Sequence, residues 1–164
     1  MNKNILRSLS YGMYAITTLD EGRAVGCIAN STMQVTYDTV VVSMNHENYT
    51  NGCMAKNKKF AISILGEDIE QNTIAFLGFQ SSKDRDKFEM IDCIEKDGLK
   101  IIRNSVGYLI CEVIDKLETE THTLFLGKIL DGDYLDESKT PMTYAYYHKM
   151  RKGNSPQKAP TYIG

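Results

Sequence analysis

Strand-like runs dominate the first half of this chain. Tyr11 to Leu19 is rich in aromatic and β-branched residues, and Arg23 to Ala29 resumes after Asp20-Glu21-Gly22. Two such runs around a glycine-bearing turn predict a β-hairpin. Val40 to Met44 and Phe60 to Leu65 are short, continuous apolar runs of the kind a buried strand shows. Between them, His46 to Asn57 is polar and predicts a short helix with Asn45 as its cap, weakened by Gly52. Ile74, Phe76 and Leu77 fall at roughly helical spacing within Ile69 to Phe79. Phe79 to Phe88 reads as a charged loop. Val106 to Leu117 and Thr121 to Leu130 predict two long strands paired through a turn at Glu118–Glu120. Thr143 to Tyr147 reads as a last strand. The remainder, RKGNSPQKAPTYIG, has the Pro, Gly and Lys content of a linker.

These elements predict a mostly β protein: six or seven antiparallel strands in a closed or nearly closed barrel, with a few short helices. A domain over 1–150 is followed by a tail or arm over 151–164. No strand–helix–strand rhythm is present, and no G-x-G-x-x-G follows a strand, so a Rossmann nicotinamide site is unsupported. The 164 residues suffice for one core that buries about two-thirds of the unfolded surface.

Charge narrows the partners. The 19 Lys and Arg against 21 Asp and Glu leave a formal net charge of −2, with both signs mixed throughout. That argues against nucleic acid as a partner, which favours a basic face. No apolar run nears the 18 or so residues that span a bilayer, and MNKNILRSLSYG has no apolar signal core. Both point to a cytoplasmic protein without membrane contact. Cys27, Cys53, Cys93 and Cys111 form no C-x-x-C pair, so neither a zinc nor a rubredoxin-type iron site is indicated. Cys27 and Cys111 lie in apolar strands, where a thiol acts as a small hydrophobe.

Three stretches offer chemistry. Gly26 to Thr36 runs from small apolar residues into Asn30, Ser31, Thr32, Gln34 and Thr36. This is either a strand edge with ordinary turn chemistry or a nest of short donors for an anion. In FQSSKDRDKF, Lys83, Arg85 and Lys87 alternate with Asp84 and Asp86. The loop is either a solvated face or a phosphate site, with Arg as fork, Lys as point charge and Ser81 or Ser82 as added donors. His122 opens an apolar strand. It is either a hydrogen-bonded structural residue or a donor to charge developing on a ligand. His46 and His148 are weaker candidates, and the three histidines have no metal-like spacing. No Ser sits in a G-x-S-x-G elbow and no Cys lies beside a His, which disfavours a hydrolase.

Taken in order, ANSTMQVT, VVSMNHENYT, GFQSSKDRDKF, THTLFLGKI and PMTYAYYHK resemble the flavin reductase-like FMN-binding split barrels, in particular the flavin reductase domain of high-molecular-weight rubredoxins and flavoredoxins. The resemblance implies a Greek-key split β-barrel that works as a homodimer, with FMN near the subunit interface and NADH or NADPH as electron donor. It implies that Ala29, Asn30, Ser31 and Thr32 line the flavin and its phosphate, with Gln34 and Thr36 on the same stretch. Asn48 and Thr50 would meet the isoalloxazine or ribityl side. Lys87, Arg85 or Ser82 would hold the phosphate. His122 would be the catalytic residue facing flavin and nicotinamide, and Tyr144 to His148 would close over the pocket. High-molecular-weight rubredoxins continue past a similar APTY segment into an iron-binding module. This sequence stops at Gly164, so the resemblance implies a separate acceptor: a rubredoxin, a flavodiiron protein or free flavin. Two alternatives are a non-enzymatic flavin-binding barrel and a pyridoxamine-phosphate-oxidase-like flavin oxidase, the latter needing cations for a second phosphate that the sequence does not cluster beyond Lys83 to Lys87.

Overall fold

A computed structural model describes residues 1–84, 86–154, 156–157 and 159–162. Seven strands form one sheet: β1 (Tyr14–Asp20), β2 (Arg23–Ala29), β3 (Thr32–Thr36), β4 (Thr39–Asn45), β5 (Lys59–Leu65), β8 (Ser105–Glu118) and β9 (His122–Tyr134). Their order is β2-β1-β5-β8-β9-β4-β3, and every pairing is antiparallel. Two further strands, β6 (Cys93–Lys96) and β7 (Leu99–Ile102), make a separate hairpin. Among the described residues three α-helices join them: α1 (Tyr49–Asn57), α2 (Gln71–Phe79) and α3 (Tyr144–Met150). Short 3-10 turns lie at Lys3–Ser8 and Lys87–Glu89.

The sheet curls without closing. Cys27 and Ala29 of β2 share a core with Val40, Val42 and Met44 of β4, although these strands stand far apart in the ladder order. Phe60 and Phe125 fill the middle of that core and are fully buried. The hydrogen-bonded ladder ends at β2 on one side and β3 on the other, so the closed-barrel alternative gives way to a split one. A second core lies outside the curl. There Met13, Leu65, Ile74, Leu77, Tyr144 and Tyr147 pack the two later helices against the sheet.

Several elements depart from the sequence reading. TYAYY is not a strand but the start of α3. The Thr143 hydroxyl accepts from the Tyr146 amide at 3.0 Å as an N-cap. Tyr144, Tyr147 and His148 then fall on one helical face, with Tyr144 and His148 rings 4.4 Å apart. The Asn-Ser-Thr cluster leads into a further strand, β3, paired to β4, where the sequence reads as a strand edge followed by a polar turn or as an anion nest. The β6–β7 hairpin turns at Asp97-Gly98, both at positive φ (52° and 79°), the geometry a two-residue hairpin loop demands. The first helix is capped by Asn48 rather than Asn45: its side chain accepts from the Thr50 amide at 3.1 Å.

Candidate functional site

A cleft of about 540 Å³ opens where β2 and β4 end. This volume lies within the usual range for small-molecule sites. One wall is polar: Asn30 after β2, Ser43 and Asn45 at the end of β4, and Asn48 at the cap of α1. The apolar lining comes from one packed cluster: Met13, Ile28, Ile74 and Leu77, with the Tyr144 and Tyr147 rings. The sequence produces this division simply. Strands β2 and β4 alternate apolar residues into the core and finish in short polar side chains where the core ends. Asn48 is held to the mouth by its own capping bond.

The expected site residues divide into three groups. Ala29, Asn30 and Asn48 line the cleft. Ser31 and Thr32 stand just behind. The Ser31 hydroxyl donates to Asn30 Oδ1 at 3.3 Å and its carbonyl receives the Ser43 amide at 2.9 Å, which ties the β2 end to β4. The Thr32 hydroxyl is buried without a hydrogen-bond partner. Thr50 is fully buried behind the wall, with the Cys27 thiol nearby. Burial pushes that thiol's pKa up, against the opposing pull of Lys87, Thr50 and Asn48, which keeps it protonated.

The others lie elsewhere. Gln34 and Thr36 shape the β3–β4 turn: the Gln34 amide donates to the Thr36 carbonyl at 3.0 Å, and the Thr36 hydroxyl bonds the Asp38 carboxylate at 3.2 Å. Ser82 and Lys87 do not line the cleft. The Ser82 hydroxyl accepts from the Gly26 amide at 3.1 Å and donates to the Gly26 carbonyl at 2.9 Å. The Lys87 ammonium is 3% exposed and donates to the carbonyls of Gly26 (2.9 Å) and Leu77 (3.3 Å). The reason is topological. β2 is an edge strand, and its outward-facing backbone groups need partners. The charged loop supplies them, and Gly26 permits the close approach. A Cβ there would stand 2.6 Å from the Ile16 carbonyl and 2.9 Å from the Phe88 ring. Arg85 lies outside the described residues. His122 opens β9 half-buried and pairs across the ladder with Asn45, one step from the cleft. Its Nδ1 is 2.7 Å from the Thr121 hydroxyl.

Other cleft residues carried no sequence expectation. Gln80 lines the wall, and its Oε1 is buried without a partner. Tyr49 stands at the mouth and donates to Asp20 Oδ2 at 2.6 Å. That bond holds the Asp20 carboxyl below its ordinary value and raises the Tyr49 phenol. Tyr49 was findable as the first residue after a strong Asn cap. Nothing local marks Gln80.

The flavin reductase like domain matches residues 6–154 of this sequence, a span that contains the β2 end, the β4 end and the three helices that line the cleft. The chain belongs to the flavin reductase-like family. It is accordingly a flavin reductase-type oxidoreductase. It is 34% identical to the high molecular weight rubredoxin of Moorella thermoacetica, over 99% of this chain and 72% of that protein. It is 31% identical to the ferric-chelate reductase (NAD(P)H) of Archaeoglobus fulgidus, over 99% of this chain and 98% of that one. The fold matches the solved NADH:FAD oxidoreductase SgcE6 of Streptomyces globisporus with a TM-score of 0.78, over 85% of this chain and 83% of the other, at 19% identity. Among the described residues, no helix is long and apolar enough to cross a membrane.

Proposed function

We propose that the cleft binds FMN and that this flavin reductase takes its electrons from NADH or NADPH in the cytoplasm. The observation that carries the assignment is a cleft with polar and apolar lining, most of it within the matched family domain. A flavin ring system is apolar at one end and amide-rich at the other. The cleft sets Met13, Ile28, Ile74 and Leu77 against Asn30, Asn45, Asn48 and Gln80. The buried Gln80 Oε1 is an acceptor without a donor, and the Thr32 hydroxyl is equally unsatisfied. Buried polar atoms normally have partners, so the Gln80 acceptor, which lines the cleft, fits a site built to receive a polar ligand. A bound flavin supplies hydride acceptance and onward electron transfer; the protein supplies position and electrostatics.

In this assignment Ala29 and Asn30, backed by Ser31 and Thr32, receive the ribityl-phosphate part. Asn48, with Thr50 supporting its wall, orients the ring, and Gln80 accepts a hydrogen bond from it. Ser82 and Lys87 act on the ligand indirectly, by fixing the β2 edge that carries Cys27 to Asn30. His122 supports Asn45 from the neighbouring strand and would serve a nicotinamide site completed by a second subunit. Homodimer formation is supported by exposed apolar side chains on one end of the sheet order: Met33, Val35 and Tyr37 around β3, Ile114 and Leu117 on β8, Leu130 and Tyr134 on β9. Exposed apolar side chains that gather into one patch ordinarily mark an interface. A rubredoxin, a flavodiiron protein or free flavin would then take the electrons.

The test is spectroscopic. The purified protein, supplied with FMN, is expected to show a bound flavin band in the blue that bleaches on anaerobic addition of NADH or NADPH. Failure to bind any flavin refutes the assignment. Binding without bleaching by either nicotinamide leaves a flavin-binding protein that is not a reductase.

A further inference from the structure

The C-terminal tail is part of the cleft wall. Asn154, Pro156, Gln157, Ala159 and Pro160 all face the cavity. Two fastenings hold the tail there. At its start, the Gly153 amide donates to the Tyr147 carbonyl at 3.0 Å, and His148 Nδ1 lies 2.8 Å from the Gly153 carbonyl. Gly153 lies flat against the Tyr147 ring, where a Cβ would come within 2.0 Å of Cζ. At its far end, Thr161 is buried, and its hydroxyl receives Asn30 Nδ2 at 2.5 Å. The tail is thus latched to the residue assigned above to the ribityl-phosphate end of the ligand.

Volume then decides what fits beneath it. A cavity of about 150 Å³ takes one benzene ring. The 540 Å³ present with the tail in place therefore holds between three and four ring-sized groups. A mononucleotide flavin, with three fused rings and a sugar-phosphate chain, is of that size. A dinucleotide adds a second phosphate, a ribose and a purine, which would have to leave past Asn30, where Thr161 stands.

We propose that the tail, held through Gly153 and Thr161, is a size filter that makes the site select flavin mononucleotide over flavin adenine dinucleotide. The proposal rests on the flavin assignment above and adds to it the element that sets ligand length. Asn30 thereby has two roles, ligand contact and catch for the latch.

The experiment is a pair of equilibrium titrations, FMN and FAD, followed by flavin fluorescence on the full-length protein and its variants. The wild type is expected to bind FMN at least tenfold more tightly than FAD. Thr161→Val removes the latch and keeps the volume. It is expected to narrow the FMN/FAD ratio about two- to tenfold, the factor one hydrogen bond carries, mainly by tighter FAD binding. Gly153→Ala forces the tail off Tyr147 and is expected to act in the same direction, while Thr161→Ser restores the wild-type ratio. Melting curves confirm that each variant is folded. Equal binding of both flavins by the wild type overturns the filter and leaves the flavin assignment standing, as does an unchanged ratio in both Thr161→Val and Gly153→Ala. Binding of neither flavin by the wild type overturns both.

Discussion

Lys87→Met tests whether a buried cation serves the fold or the ligand. In the wild type the ammonium is 3% exposed and donates to the Gly26 and Leu77 carbonyls. Leu77 lies in the last turn of α2, where carbonyls lack helical partners and where no other basic residue is present. Lys87 therefore caps that helix from a distance, with the favourable sign for the helix dipole. Methionine keeps most of the volume and removes both bonds. The Gly26 carbonyl retains the Ser82 hydroxyl at 2.9 Å, whereas among the described residues no second side-chain donor to the Leu77 carbonyl compensates its loss. Leaving one buried carbonyl unpaired costs about 1–3 kcal/mol, and a hydrogen bond to a charged donor is worth about 1.5–3 kcal/mol. Against this stands the desolvation of the ammonium, which already lowers its pKa. A net loss of about 2–3 kcal/mol follows, or roughly 4–12 °C in Tm for a chain of this length. The assay is thermal and urea unfolding of the apoprotein, with FMN affinity measured on the same samples. If the melting point moves by less than about 1 °C while FMN affinity falls tenfold or more, the ammonium serves the ligand and the edge-strand argument is wrong.

The burial also gives the pH dependence a sign. The folded-state pKa of Lys87 lies below the ordinary 10.5, so its folded form sheds a proton before the unfolded chain does. The penalty for burying the charge is present at neutral pH and is relieved as pH rises through the folded value towards 10.5; wild type should gain stability relative to Lys87→Met across that alkaline window. Tyr49→Phe removes the bond that holds Asp20 below its ordinary 3.8. Its destabilisation should be seen above that pH and disappear as pH falls through the folded-state value, read from acid unfolding curves of both proteins. Asn48→Ala should cost about 0.5–2 kcal/mol through the lost cap and weaken FMN binding as well. A melting shift without a change in FMN affinity would confine Asn48 to the helix.

Much of the fold is written in local runs. Glu21-Gly22 and the flanking β-branched residues specify the first hairpin, and both turn residues take positive φ as such a loop requires. Asp97-Gly98 carries the same turn chemistry, but its flanking strands are short and charged, so the hairpin is hidden by composition rather than by pattern. TYAYY misleads because aromatic residues favour strands in isolation. A Thr cap and the three-residue spacing of Tyr144 and Tyr147 against the outer core override that preference. The open edge of the sheet is legible nowhere in sequence, since which strand ends the ladder depends on pairings between β1, β5 and β8 that are distant along the chain.

That hidden edge explains the divided fate of the polar candidates. Asn30 and Asn48 reach the cleft because the first directly follows β2 and the second directly precedes α1, two elements whose ends form the cleft. Their position depends on one strand terminus or one cap. Ser82 and Lys87 sit on a loop whose path is set by what it must satisfy. The nearest unsatisfied groups are the amide and carbonyl of Gly26 on the exposed β2 edge. A cation interleaved with aspartates looks like a solvated face, and only the unpaired strand gives it a reason to turn inward. The same logic makes the β2 terminus the mechanical centre of the molecule. Its outer side is clamped by the charged loop at Gly26, its inner side packs Cys27 against Val42 and Phe60, and its last polar residue, Asn30, is caught by Thr161. A strand fixed on three sides presents its terminal side chains at one distance and angle, which a site assembled from short polar residues requires.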